Sequence, residues 1–309
     1  MKDNFLYRKF KKNIFMFNLL DWIRKYVLII LSDKMFLKIM YRIKMHRKLN
    51  LNNPKTYNEK LQWLKIYDRN PLYTDLADKY KVRDYIKNVV GEQYLIPLLG
   101  VYDSFSEIDF KKLPNQFVIK CNHDSASVII CKNKKTFDIE AARKKITKAL
   151  KTNYYYVGRE WVYKNIKPKI IIEKYMVDES QSELKDYKFF CFNGEAKMLF
   201  VAKDRPHATK FNYYDINLNK LDIKQYYPNF DGDFEKPINY DKMVEIANKI
   251  SKKFNHVRVD LYNVKGKIYF GEITFYHFGG FFPFEPETWD YKMGEMLNLK
   301  GYIRKEKNK

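Results

Sequence analysis

The chain of 309 residues is 46% hydrophobic and 31% charged, which provides enough apolar material for a sizeable core and excludes a disordered chain. Its formal net charge of +22 favours anionic partners, but the sequence has neither a zinc-finger spacing nor an RNA-binding aromatic motif, so we expect no nucleic-acid partner. Cys121, Cys131 and Cys191 show no CxxC spacing, which argues against a zinc site or a disulfide framework and favours a reducing, cytoplasmic compartment.

Residues 1–50 form a strongly basic segment with 13 Lys and Arg against 3 Asp and Glu, a net charge of 13 − 3 = +10. Apolar residues recur at spacings of three and four over residues 14–30, which predicts a helix. Ser32 is the expected N-cap of a second helix, Asp33 to about Lys48, with one apolar face formed by Phe36, Ile39, Met40 and Ile43.

The same basic segment has no apolar run near the roughly 20 residues that a membrane span needs, and charges interrupt every candidate secretory signal. We interpret it as a helical appendage packed on the main body. A peripheral contact with the anionic inner face of the plasma membrane is the alternative.

Residues 51–115 are predicted to form a small α/β lobe. Thr56 is the expected N-cap of its first helix, with Glu59 completing a capping box. The stretch Asp75–Val89 predicts one continuous helix, and residues 94–97 lead into a short extended piece.

Residues 116–180 are predicted to contain a hairpin that binds phosphate. Its strands are Gln116–Cys121 and Val128–Cys131, joined by the polar turn Asn122–Ser127. Lys120 precedes the turn, where its ammonium and the backbone N–H groups of the turn can meet a phosphate. The alternative is an ordinary solvated lysine at a strand end.

The second feature of this segment is the apolar strand Lys169–Glu173, which runs into a polar turn. Such a strand can present backbone donors and acceptors to an adenine edge between apolar side chains. The alternative is an edge strand of the sheet with no ligand.

Residues 181–309 are predicted to form the largest unit. Asn193-Gly194 predicts a hairpin turn, and a second hairpin is expected at Lys265-Gly266. The predicted elements are the strands Tyr187–Phe192, Ala196–Ala202, Lys210–Tyr214, His256–Tyr262 and Lys267–Ile273 and the helices Tyr240–Phe254 and Thr288–Leu299.

The last of these hairpins has the strongest functional signal. Strand alternation puts Arg258 and Asp260 on one face, and likewise Glu272 and Thr274, and the turn lies about midway between the two pairs. Two carboxylates and a hydroxyl on adjacent strands make a hard oxygen site suited to Mg²⁺. Arg258 beside them can stabilise an oxyanion or bind a phosphate. The alternative is a surface ion pair without a metal.

The order of these features, a phosphate hairpin, an apolar hinge strand and then a metal hairpin, resembles the ATP-grasp superfamily. Within it, the sequence is similar to the TupA-like family of teichuronopeptide biosynthesis, found in bacterial gene clusters for surface and capsular polysaccharides. The similarity covers roughly residues 30–300. The motifs that carry it are NPKTYNEKLQWLK around residues 54–64, Asp78–Tyr80, Phe117–Asp124, Ile172–Met176, Lys185–Phe192, Arg258–Leu261, Gly271–Thr274, Phe281–Pro286 and Trp289–Lys292.

The resemblance implies an α+β ATP-grasp fold, in which two sheet-containing lobes, 116–180 and 181–309, enclose a nucleotide. It also implies ATP and Mg²⁺ as cofactors and a set of residues that bind them. The implied Mg²⁺ ligands are Asp260, Glu272 and Thr274, with Arg258 stabilising the transition state. The implied ATP-binding residues are Lys79, Lys120, Ser125 and Ser127 at the phosphates, Glu173, Lys174 and Met176 at the adenine hinge, and Asp186 and Lys188 towards the ribose and phosphates.

Two departures from the family pattern are visible. The phosphate loop Asp124–Ser127 lacks the usual glycines and adds a negative charge. Thr274 stands where the superfamily usually has asparagine as the third metal ligand. His123 is interpreted as a loop residue near the phosphates rather than a general base. His277 lies where the superfamily places an acceptor-substrate loop, so a substrate role for it stays open.

The activity that the resemblance implies is the activation of a carboxylate by ATP as an acyl phosphate, which an amine then attacks. The implied partner is a glycan or glycan precursor. One alternative is a glycosyltransferase or kinase-like transferase, although the only DxD motif, Asp231-Gly232-Asp233, lies in an apparent loop. A second alternative is a degenerate ATP-grasp module that binds without catalysis.

Overall fold

The computed structural model describes residues 30–125, 127–177, 184–203, 209–232 and 234–299, so the helix predicted over residues 14–30 lies outside the described residues. The architecture is α+β, with two antiparallel sheets. The strands are β1 (Leu98–Tyr102), β2 (Phe117–Cys121), β3 (Ile129–Cys131), β4 (Ile170–Lys174), β5 (Asp186–Phe192), β6 (Glu195–Lys203), β7 (Lys210–Asp215), β8 (Lys220–Leu221), β9 (His256–Val264) and β10 (Lys267–Thr274).

The two sheets divide these strands between them. The small sheet has the order β1-β4-β2-β3 and the large sheet the order β10-β9-β5-β6-β7-β8. Strand β4 therefore lies between two neighbours, which excludes the edge-strand alternative for the predicted hinge. The predicted hairpins β2–β3, β5–β6 and β9–β10 all form.

The α-helices pack around these sheets, and none of those described combines the length and apolarity that crossing a bilayer requires. Helices predicted to continue to residues 254 and 299 end three residues earlier, which is within the usual fraying of helix ends. The helices are α1 (Asp33–Met45), α2 (Tyr57–Tyr67), α3 (Leu72–Ala77), α4 (Val82–Val89), α5 (Ile139–Leu150), α6 (Tyr155–Gly158), α7 (Tyr240–Ser251) and α8 (Thr288–Met296).

Helix α1 begins where the sequence predicts, because the Ser32 side chain accepts a hydrogen bond from the Met35 backbone. The predicted apolar face is correct for Phe36 and Met40, which pack on the core, and wrong for Ile39 and Ile43, which are exposed. The helix is apolar on more than one side, so periodicity alone does not select the face that packs. The buried face is the one formed by Phe36, Leu37, Tyr41 and Met45.

The prediction of a single helix over Asp75–Val89 is also wrong, because the helix is interrupted between α3 and α4. At the break the Asp78 carboxylate accepts hydrogen bonds from the backbone N–H groups of Tyr80 and Lys81, at 2.8 and 3.3 Å. A short acidic side chain that bonds nearby backbone competes with helix continuation. The Lys79 backbone N–H donates instead to the Asn122 carbonyl at 3.0 Å, which ties the break to the turn after β2.

Two hydrophobic cores support the sheets. The smaller packs Ala142 and Ile146 of α5 against β2 and β4. The larger joins α1 and α2 to the large sheet and α7 in one continuous core. The predicted lobe boundaries after residues 50, 115 and 180 stay predictions, although β1, from the predicted 51–115 lobe, pairs with β4 in the small sheet.

Candidate active site

The hairpin of β9 and β10 brings four of the predicted residues together. Its register places Glu272 opposite Asp260 and Thr274 opposite Arg258. A bulge between Phe270 and Glu272 interrupts the ladder just before these pairs. Both pairs therefore share one face of the large sheet.

Arg258 is the centre of this cluster. Its Nε and Nη2 donate to the two carboxylate oxygens of Asp260, each at 2.7 Å. Nη2 also lies 3.2 Å from Glu272 Oε1 and 3.0 Å from Thr274 Oγ1. A planar guanidinium with several donors is suited to such a fork, and burial strengthens each charged contact. Arg258 is thus held in one orientation by three neighbours.

Lys188 adds a second cation from β5. Its ammonium donates to Asp260 Oδ2 and lies 3.4 Å from Asp186 Oδ2. The register of β5 and β9 explains the contact, because Lys188 stands directly opposite Asp260. The predicted residues Asp186 and Lys188 therefore lie beside the metal hairpin, and their roles at the nucleotide stay predictions.

The charges of this cluster act strongly on one another. Burial opposes ionisation of Glu272, but Lys79, Lys188 and Arg258 together hold the pKa of its carboxyl well below the usual range. Burial lowers the pKa of Lys188, and Asp260 works in the opposite direction. Burial also disfavours the Arg258 cation, but Asp260 and Glu272 raise its pKa overall. The carboxylates are therefore compensated before any ligand arrives.

The residues proposed for Mg²⁺ fit a hard cation in part. Glu272 and Thr274 supply hard oxygens, and their hydrogen bond of 3.2 Å keeps them adjacent. Glu272 is 31% exposed, and the ammonium of Lys79 lies 3.7 Å from its Oε2. Asp260 is fully buried, and both its oxygens are bound by Arg258 and Lys188. Among the described residues, no three His, Cys, Asp or Glu side chains cluster as a metal site. Glu272 and Thr274 are thus the accessible ligands, and Asp260 would reach a metal only by exchanging a cation.

Lys79 links the metal hairpin to the phosphate loop. Its ammonium donates to the Asp124 carbonyl at 2.5 Å and faces Glu272. The helix break at Asp78 makes this possible, since it turns the Lys79 side chain out of a helix and against both lobes. One predicted phosphate lysine therefore lies between the two halves of the site.

The phosphate loop is held by its own side chains. Ser127 Oγ donates to Asp124 Oδ1 at 2.5 Å and accepts from the Cys121 backbone N–H at 2.7 Å. The predicted role of Ser127 at the phosphates thus competes with a structural one, whereas Ser125 is exposed. His123 is buried with Nε2 near the carbonyls of Ala149 and Thr152, in agreement with its interpretation as a loop residue.

The small sheet holds the remaining predicted residues. Lys120 Nζ pairs with Glu173 Oε2 at 2.7 Å, so the predicted phosphate lysine touches the predicted hinge. Arg83 of α4 lies 3.8 Å from the other Glu173 oxygen and was not predicted from the sequence. Lys174 is exposed, and Met176 is half-buried just beyond β4.

His277 is buried and contacts Arg258 of the charged cluster. The Arg258 guanidinium donates to its Nδ1 at 2.8 Å, so its Nε2–H donates to Gln225 Oε1, also at 2.8 Å. Burial, then Arg258, lower its pKa well below the usual value, so it is neutral. His277 is a positioning residue for Arg258. Of the DxD motif, Asp231 and Gly232 lie in a bend, and Asp233 is outside the described residues.

The polar residues of α2 are the contacts that the sequence did not predict. Gln62 Nε2 donates to the carbonyls of Gly279 and Gly280, at 2.9 and 2.7 Å. Lys65 Nζ donates to the carbonyls of Gly279 and Gly158, at 2.7 and 2.8 Å. The sequence offered one signal for these contacts. Gln62 and Lys65 are polar residues in a helix that is mostly buried, and buried polar side chains need hydrogen-bond partners.

These contacts fix the turn after the metal hairpin, which runs over His277–Gly280. Its backbone is left-handed at Phe278, Gly279 and Gly280. A Cβ on Gly280 would lie 2.5 Å from Gln62 Nε2, so only glycine permits the close approach. Helix α2 therefore holds a strained turn beside the cluster.

Comparison with known proteins gives a family match over most of the chain. The model of the family described as TupA-like ATP-grasp matches residues 59–298, well over half of the chain. No curated protein sequence matches.

Similar solved structures include three ligases. D-alanine–D-alanine ligase from Bacillus anthracis shares 18% identity, with 64% of this chain and 56% of that chain covered and a TM-score of 0.39. The same enzyme from Helicobacter pylori shares 15%, with 71% and 61% covered and a TM-score of 0.35. L-amino acid ligase from Bacillus licheniformis shares 12%, with 79% and 55% covered and a TM-score of 0.41. The chain thus spans less than two thirds of each ligase.

Proposed function

Since the chain belongs to the TupA-like ATP-grasp family, we propose that it is an ATP- and Mg²⁺-dependent enzyme that joins a carboxylate to an amine. The observation that carries this proposal is the cluster of Arg258, Asp260, Glu272 and Lys188. It gathers two cations and two carboxylates on one face of the large sheet. Activating a carboxylate requires such an arrangement, because negative charge must be held and offset while a phosphoryl group moves.

The proposed role of each residue follows from its position in the site. Lys79 and Lys120 would contact the ATP phosphates, since they lie at the phosphate loop and at the hinge. Arg258 and Lys188 would offset the charge on the transferring phosphoryl group without reorganising, because both are already held in place. Glu272 and Thr274 would hold Mg²⁺, which would offset phosphate charge, and Asp260 would join them only if Arg258 or Lys188 released one of its oxygens. The hinge residues Glu173 to Met176 would receive the adenine.

We further propose that the substrate is a glycan or glycan precursor and that α1 contacts an anionic membrane surface, where lipid-linked precursors are made. Support for the contact comes from the face of α1 opposite its buried side. Met35, Ile39 and Ile43 form an apolar stripe there, with exposed fractions of 54, 38 and 57%. Lys38 and Arg42 flank the stripe and are exposed. An apolar stripe edged by cations is the pattern of helices that lie on anionic membranes.

Calorimetric titration tests the proposal directly. We expect saturable binding of MgATP, none of UDP-glucose, and ADP release when uronic acids and amino compounds are supplied together. Binding of UDP-glucose in place of MgATP would favour the glycosyltransferase alternative. MgATP binding with no release on any substrate panel would favour a module that only binds.

A further inference from the structure

Glu160 is an acidic residue beside the cluster that the proposed mechanism does not use. Its side chain is only 9% exposed, and no described residue lies within hydrogen-bond or ion-pair distance of its carboxylate, whose oxygens still reach solvent. Glu59 is a useful contrast, because it is 8% exposed and accepts bonds from three backbone N–H groups. A buried carboxylate normally has such partners, since desolvating a charge is costly.

The surroundings of Glu160 belong to the candidate active site. A Cβ on Gly279 would lie 3.2 Å from its Oε1, so the carboxylate faces the turn that follows the metal hairpin. Burial raises the pKa of the Glu160 carboxyl, while Lys65 opposes this rise and the charge of Glu272 adds to it. Burial raises the pKa of Tyr154 to about 12, and the charges of Glu160, Asp124 and Glu272 add to this rise, so all three carboxylates lie near the Tyr154 hydroxyl.

Lys65 does not satisfy this carboxylate. Two of its three ammonium donors go to the carbonyls of Gly158 and Gly279, and its charge also lies 4.5 Å from the centre of the Phe281 ring. Lys65 therefore positions the turn and compensates Glu160 only through space. The carboxylate keeps its acceptor capacity for another donor.

We propose that Glu160 binds the amino group of the acceptor substrate and delivers it to the activated carboxylate beside Glu272. This inference rests on the proposed function and adds the residue that recognises the amine. A primary ammonium matches the site, because it would place a positive charge in direct contact with the Glu160 carboxylate and donate hydrogen bonds to its oxygens. A neutral hydroxyl acceptor would supply no charge.

The step balances without a further reactant. The ammonium gives a proton to Glu160, and the free amine forms a C–N bond with the acyl carbon. The bond between that carbon and the phosphate oxygen breaks, inorganic phosphate leaves, and a second proton from the amine goes to solvent. Glu160 then releases its proton to solvent as well.

Carboxyl labelling tests whether an amine reaches Glu160. The full chain is treated at pH 6 with a water-soluble carbodiimide and methylamine, and the amidated residues are quantified by peptide mass spectrometry. We expect amidation of Glu160 many-fold faster than that of Glu59, which is buried to the same degree but fully bonded. Rates that are equal, or slower at Glu160, would overturn the proposal, because a carboxylate that the carbodiimide cannot reach is closed to an acceptor amine of similar or larger size as well.

A matched pair of variants separates binding from support of the fold. We expect Glu160→Gln to keep the thermal midpoint and the MgADP affinity of the wild type and to abolish methylamine labelling of the peptide that contains residue 160. Lys65→Met should lower the thermal midpoint, since it frees the turn. An equal loss of thermal midpoint in both variants would assign Glu160 to a structural role. MgADP affinity of the wild type is measured separately, so failure of the ATP proposal and failure of the amine proposal give different results.

Discussion

The two sheets place their functional charges in different ways. On the large sheet, Arg258, Asp260 and Lys188 are buried and bonded to one another. On the small sheet, Lys120 and Glu173 form a single pair at the ends of their strands. The large sheet therefore holds a site whose geometry exists before ligands bind. The small sheet holds an ion pair that the proposed nucleotide would have to open, and the two arrangements should respond differently to mutation.

Removing the central cation of the large sheet should have the largest effect. Arg258→Met leaves Asp260 and Glu272 without their shared partner, and breaking a buried ion pair costs about 3–5 kcal/mol. We expect urea unfolding to shift to a markedly lower midpoint, and ADP release in the presence of substrates to vanish.

Arg258→Lys is the matched control, because it keeps the charge and loses the two-pronged contact. It should recover much of the stability and little of the turnover. Wild-type unfolding by Arg258→Met would mean that the network contributes nothing to the fold.

Glu272→Gln tests the partly exposed residue of the large-sheet cluster, whose other charged residues are buried. The amide preserves shape and removes an anionic oxygen, so we expect turnover to be abolished and stability to change by about 1 kcal/mol or less. The measurement pairs thermal unfolding with ADP release over a range of Mg²⁺ concentrations. Wild-type release by this variant would remove Glu272 from the metal site.

Lys120→Met tests the small sheet. The variant removes one charged contact to phosphate, and such contacts are worth about 1.5–3 kcal/mol, so MgATP affinity should fall roughly tenfold to a hundredfold. Stability should fall less than in Arg258→Met, because Arg83 still lies 3.8 Å from the Glu173 carboxylate. Lys132→Met, at an exposed lysine just after β3, is the matched control and should bind like the wild type. Equal affinities for both variants would contradict the role of Lys120.

The large sheet should also carry a pH dependence, through a buried histidine. His256 is buried between the Tyr57 hydroxyl and the Cys191 carbonyl, at 2.8 and 2.9 Å. Burial lowers its pKa to about 4, against an opposing effect of the Cys191 carbonyl and with help from Arg258. The unfolded chain then binds the extra proton between about pH 6.5 and 4, so the stability that neutral His256 provides is present above this window and lost below it.

The measurement compares the unfolding free energy of the wild type and His256→Gln from pH 7 to 4. Their difference should narrow on acidification, by roughly 3 kcal/mol at most. A constant difference between the wild type and His256→Gln would mean that His256 titrates alike in both states.

The sequence predicted the hairpins better than it predicted the contacts between distant segments. The pair Arg258 and Asp260 faces the pair Glu272 and Thr274 across the hairpin as expected, because strand alternation and a short turn determine which side chains meet. The helix break at Lys79 was missed, since it depends on the Asn122 carbonyl far along the chain. Glu160 was missed as well, because an isolated glutamate has no motif and its importance appears only from its burial.

The charges of helix α1 lie at the surface, unlike the mostly buried charges of the two sheets. Its Lys and Arg side chains would each gain roughly 1 kcal/mol close to an anionic membrane, so this effect should be the smallest and the most sensitive to salt. We expect the full chain to sediment with vesicles that contain phosphatidylglycerol at low salt, and less at high salt. The triple variant Met35→Ser, Ile39→Ser and Ile43→Ser should sediment less, with unchanged MgATP affinity.

Ile238→Ser is the matched control, because Ile238 is 92% exposed and lies outside α1. It removes an exposed apolar side chain without touching the stripe, so it should sediment like the wild type. Deletion of residues 1–29 distinguishes two candidates for covering the apolar stripe, the membrane and residues 1–29 themselves. If the membrane is the occupant, binding persists in the deletion variant and still depends on Met35, Ile39 and Ile43. If residues 1–29 are the occupant, the deletion should lower the thermal midpoint, and the triple variant should sediment like the wild type, which would contradict the membrane proposal.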